Sequence, residues 1–324
     1  MLLDIYVTHW TEEWHIGEKG FLMMKLQRDV DWKDIRVTLV HDGTQKFSDA
    51  TFAGYPFEVR QVELEHRGIA GVRNWCLDDS RADWIKFNDF DDCFSNIYAL
   101  RSILQGLDKA GKIDLLWFHL YAEMNGRVFV KDDRNPVVLH NKVFRRSFLN
   151  NHHIRFNEEL TWCEDSAFLA LVEMEINHER IGRIVTDVPP YVWFYREGSL
   201  SNRREILYEN RMSFYRRHRY VQDEMRKHGQ TEPGDAMTAR IMADSYATIF
   251  LYGLDEDMGP FEKEVWEYFL ENRYSFLRIP KRQFDEILEA SNKENECNIT
   301  RGELVNWIRG MRLKYGEAGE RVHG

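Results

Sequence analysis

The chain has 324 residues and a formal charge of −10, from 44 Lys+Arg against 54 Asp+Glu. That balance excludes a general binder of the nucleic-acid backbone, which rests on clustered cations. With 43% hydrophobic and 30% charged residues the chain is folded rather than disordered, and at roughly 150 residues per domain it has room for two domains.

Mean hydropathy is −0.55, and apolar runs such as Ile113–Tyr121 fall far short of the ~20 residues a membrane span needs. The N-terminal stretch MLLDIYVTHWTEEW acquires acids too early for a signal peptide and reads as a strand. Cys76, Cys93, Cys163 and Cys297 lie far apart with no CxxC. This argues against a disulfide scaffold or a zinc site and for a reducing cytoplasm.

The first half alternates strand-like and helix-like segments. Leu3–Thr8 is a short β-rich run, and Gly20–Val30 has helical spacing at Phe21, Met24 and Leu26. Arg36–Val40 is a second strand running into HDGT, and Val59–Leu64 is a third. Arg67–Leu77 opens a helix, and Trp84–Asn88 is a fourth strand that runs into an acidic turn. This rhythm predicts a mostly parallel sheet with helices on both faces. Such sheets bind ligands beyond the carboxyl ends of their strands, where THW, HDGT and DFDD fall here. From about residue 205 five segments fit helical periods, punctuated at Gly229, Pro233–Gly234, Gly259–Pro260 and Pro280. Thr300 with Glu303 has the spacing of a capping box.

Asn88-Asp89-Phe90-Asp91-Asp92 places several carboxylates at one sheet edge. Asp89 and Asp91 share one side of an extended segment, and paired carboxylates suit Mg²⁺ or Mn²⁺. The plain alternative is a solvated turn capping a helix that begins near Phe94. The absence of glycine at the sixth loop position argues against an EF-hand. A second acidic pair, Glu164-Asp165, precedes the apolar run Ala167–Val172 and so sits at a helix N-terminus, where the dipole favours carboxylates. His140, His152 and His153 are ligand-type residues whose spacing gives no ligand set.

In order along the chain, IYVTHW, VTLVHDGT, HRGIAGVRNWCL, WIKFNDFDD, HNKVFRRSFLNNHHIRFNEELTWCEDSAF and VWFYREGSLS resemble the family 2 glycosyltransferases with their GT-A fold. The resemblance covers about residues 1–204 and implies a Rossmann-like nucleotide-sugar domain. Its nucleotide half spans about 1–95 and its acceptor half about 96–204, and a helical extension follows over 205–324. It implies an inverting, metal-dependent transfer of a sugar from a nucleotide-sugar, UDP-linked in the first instance, to an acceptor hydroxyl. Asp91 would then be the main ligand of Mn²⁺ or Mg²⁺, with Asp89 on ribose, metal or metal-bound water. Asp165 would be the general base, oriented by Glu164. Asp42 would accept from the uracil N3–H, although His41-Asp42 stands where the family usually has two aspartates. Thr8, Trp10, Arg67, Arg73 and Asn74 would border the donor, and Arg196 and Ser199 would close over its diphosphate. Trp162 is a further stacking candidate. Lys142, Arg145 and Arg146 suit either an anionic acceptor or a surface hairpin with snorkelling cations. The helical tail has to bury Phe250, Trp266 and Trp307, against the catalytic domain or another subunit. Two other readings stay open: a nucleotidyltransferase on a similar sheet, and a non-catalytic nucleotide-sugar-binding scaffold. The identities of sugar and acceptor are not legible in the chain.

Overall fold

The computed structural model describes residues 1–131, 138–195 and 207–316, and the chain forms two compact units, Met1–Asn202 and Arg203–Gly324. The first is built on a seven-stranded sheet. Strand β1 (Leu3–His9) is buried along its whole length. It lies between two parallel neighbours, β2 (Ile35–Asp42) and β4 (Trp84–Asp89). A strand covered on both faces needs a near-continuous apolar sequence, and LDIYVT supplies one. Strand β3 (Val59–Leu64) pairs parallel with β2 and is mostly half-buried, as an edge strand should be. On the other flank β9 (Lys142–Arg145) runs antiparallel to both β4 and β6 (Leu115–Trp117), and β10 (Ile181–Arg183) completes the order β10-β6-β9-β4-β1-β2-β3. A second, four-stranded sheet has the order β5-β11-β7-β8, from Cys93–Phe94, Tyr191–Phe194, Leu120–Met124 and Arg127–Lys131.

Helices α1 (Trp14–Lys25), α2 (Gly68–Asp79) and α3 (Ala99–Asp108) connect these strands, and α4 (Arg146–Asn151) and α5 (Glu164–Glu175) follow β9. Two elements differ from the sequence reading. Helix α1 starts six residues before Gly20, because its buried face opens with Gly17 and Gly20, which give no hydrophobic signal. A Cβ at Gly17 would lie 2.3 Å from the Phe90 ring, and one at Gly20 would lie 2.4 Å from the Asp92 carbonyl oxygen. These glycines let α1 press against the acidic turn. No helix begins near Phe94; Cys93–Phe94 is strand β5, and α3 starts at Ala99.

The amino-terminal edge of the sheet is closed by ion pairs. Buried Asp4 accepts from Arg36 Nε at 2.8 Å, the Ser80 hydroxyl at 2.7 Å, and the amides of Arg81 and Ala82. Asp79 accepts from both Arg60 terminal nitrogens and from the Tyr6 hydroxyl.

The second unit contains helices α6 (Leu207–Lys227), α7 (Thr231–Phe250), α8 (Gly259–Arg278), α9 (Lys281–Glu294) and α10 (Arg301–Tyr315). Pro260 sits in the first turn of α8, where its missing N–H has no helical partner to lose. Thr300 and Glu303 form the full capping box at the start of α10. Trp266 and Trp307 are buried in this unit's own core with Val265, Met242 and Leu304, whereas Phe250 stays half exposed. Among the described residues no helix is long and apolar enough to cross a membrane.

Candidate active site

The carboxyl ends of β1, β2 and β4 lie side by side, with Thr8 in register with Asp89 and His9 with His41. Asp89 ends β4, and the chain turns through Phe90–Asp92 into β5. Asp92 Oδ1 accepts from the Phe194 amide at 3.0 Å, which ties the turn to β11. Asp89 Oδ2 lies 3.4 Å from His140 Nε2. Ligand-type atoms of Asp89, Asp92 and His140 all lie within 4.8 Å of one another. Asp92 Oδ2 and His140 Nδ1 are buried without a hydrogen-bond partner, a state that costs free energy unless something else satisfies them. Burial, with the charges of Asp89 and Asp91 beside it, pushes the Asp92 carboxyl well above the usual range. Burial acts the same way on Asp89, but His140 and Arg73 outweigh it and hold that carboxyl low. Crowded carboxylates with open oxygens and a nearby imidazole form a donor set that fits a divalent cation. Half-buried Asp91 lies on the same turn, outside that group of three.

Arg73, on α2, is 3% exposed. It donates to Glu164 Oε1 at 2.7 Å and to Asp89 Oδ1 at 3.3 Å. The sequence reading set it against the donor; the structure sets it between the two acidic sites. Its neighbour Asn74 accepts from the Phe156 amide at 2.8 Å and donates to the Phe156 carbonyl and to Glu158. Asn74 therefore clamps a segment of its own chain, and these bonds occupy both ends of the amide that the sequence reading gave to the donor.

Glu164 and Asp165 open α5. Their N-cap, Cys163, holds a left-handed backbone with φ of 66°, strained for a residue other than glycine. Burial pushes Glu164 up to about 7 and raises Asp165 as well, with Arg73 opposing in both cases. A carboxylate with raised proton affinity is a better base near neutral pH.

On the β2 side, Asp42 accepts from the amides of Arg67 and Gly68 at 2.7 and 3.1 Å and pairs with His66 at 2.9 Å. It thereby anchors the start of α2, and a base contact would have to share the same carboxylate. Gly43 beside it has φ of +73°, and a Cβ there would meet His66 at 2.8 Å. Trp10 is exposed and stacks on the His66 ring, 5.7 Å between centroids. An open groove of about 840 Å³ runs along this edge between Thr44, Lys46, Glu63 and His66.

Arg196 and Ser199 lie outside the described residues. The basic cluster is used internally. Lys142 is buried and donates to the Val138 carbonyl, Arg145 donates to the carbonyls of Gly111 and Ile113, and Arg146 donates to that of Ala82. His152 pairs with Glu175 rather than joining the acidic turn. Sequence reasoning missed fully buried Lys86 in β4, which donates to the His140 carbonyl at 2.7 Å and sits 4.3 Å from the Tyr191 ring centroid. It also missed the buried contact between His9 Nδ1 and His41 Nδ1 at 2.9 Å. The one available signal for Lys86 was a lysine inside an otherwise apolar strand.

A mostly parallel sheet flanked by helices, with an acidic turn at the carboxyl end of a central strand and a helical region after it, is the GT-A architecture. The solved structures give the particular likeness. TarS of S. aureus superposes with a TM-score of 0.65 at 18% identity, over 91% of this chain and 54% of that one. TarS 1–349 in complex with UDP-GlcNAc superposes with a TM-score of 0.66 at 18% identity, over 97% and 92%. At this identity the likeness establishes the fold. In sequence the chain is similar to a teichoic acid poly(glycerol phosphate) polymerase of Staphylococcus epidermidis, 28% identical over 189 residues. That match covers 52% of this chain, which spans only 25% of the relative. No family model matches the chain.

Proposed function

We propose that the chain is an inverting, metal-dependent glycosyltransferase that moves a sugar from a UDP-linked donor to an acceptor hydroxyl. The observation carrying this reading is the meeting, at the carboxyl edge of a GT-A sheet, of Asp89, Asp92 and His140 with the Glu164–Asp165 pair through one buried arginine. The donor chemistry follows TarS, whose structure holds UDP-GlcNAc. Asp89 and Asp91, with Asp92 and His140 in reach, would hold Mn²⁺ or Mg²⁺. Such an ion, when bound, neutralises charge on a leaving diphosphate. Thr8, Trp10, Asp42 and Arg67 would border the nucleoside, and by the sequence resemblance Arg196 and Ser199, outside the described residues, would serve the diphosphate.

Asp165 is the group that takes the acceptor proton. A hydroxyl has a pKa far above 7 and must lose its proton as it attacks the sugar carbon. Glu164 orients that base, and one in-line displacement inverts the anomeric centre. Residues 1–204 act as the catalytic domain and 205–324 as a helical extension available for self-association. Four free cysteines suit a reducing cytoplasm. The acceptor is not a polyanion gripped by Lys142, Arg145 and Arg146, since the fold already uses all three.

A thermal-shift panel of UDP, GDP, CDP and ATP, with and without Mn²⁺, tests this directly. Stabilisation by UDP that requires Mn²⁺ is expected, about 2.7 kcal/mol at a hundred times Kd. Equal responses to all four nucleotides, or none, would count against the reading.

A further inference from the structure

We infer that Arg73 and Asn74 are positioning residues that latch the acceptor half of the site onto the nucleotide half, and that neither binds the donor. The inference rests on the glycosyltransferase reading for its meaning, but its geometry stands alone. Arg73 holds Glu164 with one terminal nitrogen and Asp89 with the other. Its guanidinium carbon also lies 5.6 Å from the centroid of the Phe156 ring. Both terminal nitrogens are thus engaged, one on buried Glu164 and one on half-buried Asp89. Asn74, the next residue on α2, bonds both the amide and the carbonyl of Phe156, as a neighbouring strand would. The Phe156 ring in turn stacks on Phe168 of α5 at 4.1 Å and 4°. Three fixings on residues 156–164 therefore start from two adjacent side chains. They set where the Glu164–Asp165 pair stands relative to Asp89.

The latch has an electrostatic consequence. Arg73 shares its charge between Asp89 and Glu164, so it repels a cation arriving at Asp89. A donor-phosphate ligand, a scaffold residue and a latch then behave differently when the arginine is replaced.

The experiment compares the full chain with R73Q, R73K and N74A. Mn²⁺ affinity is read without nucleotide, UDP affinity with saturating Mn²⁺, and amide hydrogen exchange over residues 154–166. In R73Q, Mn²⁺ should bind as tightly or more tightly, UDP affinity should stay within about threefold, and exchange over 154–166 should speed up at least tenfold. Donor turnover should fall about 100-fold through kcat with KM little changed, and R73K should recover part of it. N74A should speed the same exchange and lower kcat, with both affinities unchanged. A tenfold or greater loss of UDP affinity in R73Q overturns the latch in favour of a donor contact. Joint loss of Mn²⁺ and UDP binding in R73Q overturns it in favour of a scaffold role. If R73Q fails to fold, N74A decides, and unchanged exchange and kcat there overturn the inference. A wild-type protein that binds neither Mn²⁺ nor UDP condemns the glycosyltransferase reading, while the exchange data still judge the latch.

Discussion

The two ends of the parallel sheet use the same residue types to opposite effect. At the amino edge, Asp4 and Asp79 are met by Arg36, Arg60, a tyrosine, a serine and two amides, which leaves no room for a ligand. At the carboxyl edge, one buried arginine is divided between Asp89 and Glu164, and Asp92 Oδ2 and His140 Nδ1 have no partner. Buried carboxylates are tolerable when saturated. Unsatisfied polar atoms clustered with acidic groups are where a ligand is expected. The difference separates an ionic cluster whose acids are fully paired from one that keeps unpaired donor atoms.

The sharpest way to break this comparison is at the base. Asp165→Asn keeps the shape and removes the basic lone pair. Sugar transfer, or donor hydrolysis as its surrogate, should fall by about 10²–10⁴-fold. UDP affinity should change little, because binding and chemistry use different groups. Transfer at the wild-type rate, or retained configuration in the product by NMR, would remove Asp165 from this role.

At the amino edge the effect should be purely one of stability. Asp4→Ala removes the buried acceptor shared by Arg36, the Ser80 hydroxyl and two amides and should cost about 3 kcal/mol or more in urea unfolding. The fraction still folded should bind Mn²⁺ and UDP as the wild type does. A change in nucleotide affinity per folded molecule would mean the two edges are coupled.

Gly20→Ala should fall between these cases. Its Cβ would push on the Asp92 carbonyl, at a cost of about 1–3 kcal/mol for overpacking, and Mn²⁺ affinity should drop with it. An alanine variant with unchanged Mn²⁺ affinity would show that α1 does not set the turn.

The last effect is a pH dependence and concerns Lys86. Burial lowers its pKa to about 7, against 10.5 in the unfolded chain. Between those values the unfolded state binds more protons, so this lysine makes stability rise with pH. Metal-free wild type should therefore gain stability relative to Lys86→Met as pH goes from 7 towards 10.5. Parallel stability curves for the two proteins would contradict the shift.

Much of the fold was legible because its signals are local. Buried β1, β2 and β4 read as short runs of β-branched, aromatic and other apolar residues, and the five tail helices followed their 3.6 period and a capping box. Helix α1 was misplaced because Gly17 and Gly20 are selected by contact with Phe90 and Asp92, which no local pattern encodes. At the site, the acidic turn and the Glu164–Asp165 pair stood out as sequence. The roles of Arg73 and Asn74 did not, since their partners lie 82 to 91 residues away for Phe156 and Glu164. His140 meets Asp89 from the approach to β9, the strand paired with β4, a proximity made by topology alone.

At the carboxyl edge, Asp92 Oδ2 and His140 Nδ1 stand without partners beside Asp89, where a cation and a nucleoside diphosphate are proposed to bind. Calorimetric titration of UDP into wild type and Asp92→Asn, each with and without Mn²⁺, tests this proposal most directly. Tight UDP binding is expected only in wild type with Mn²⁺, and at least tenfold weaker binding in the variant. UDP binding that is equally tight without the ion, or unchanged in Asp92→Asn, would contradict it.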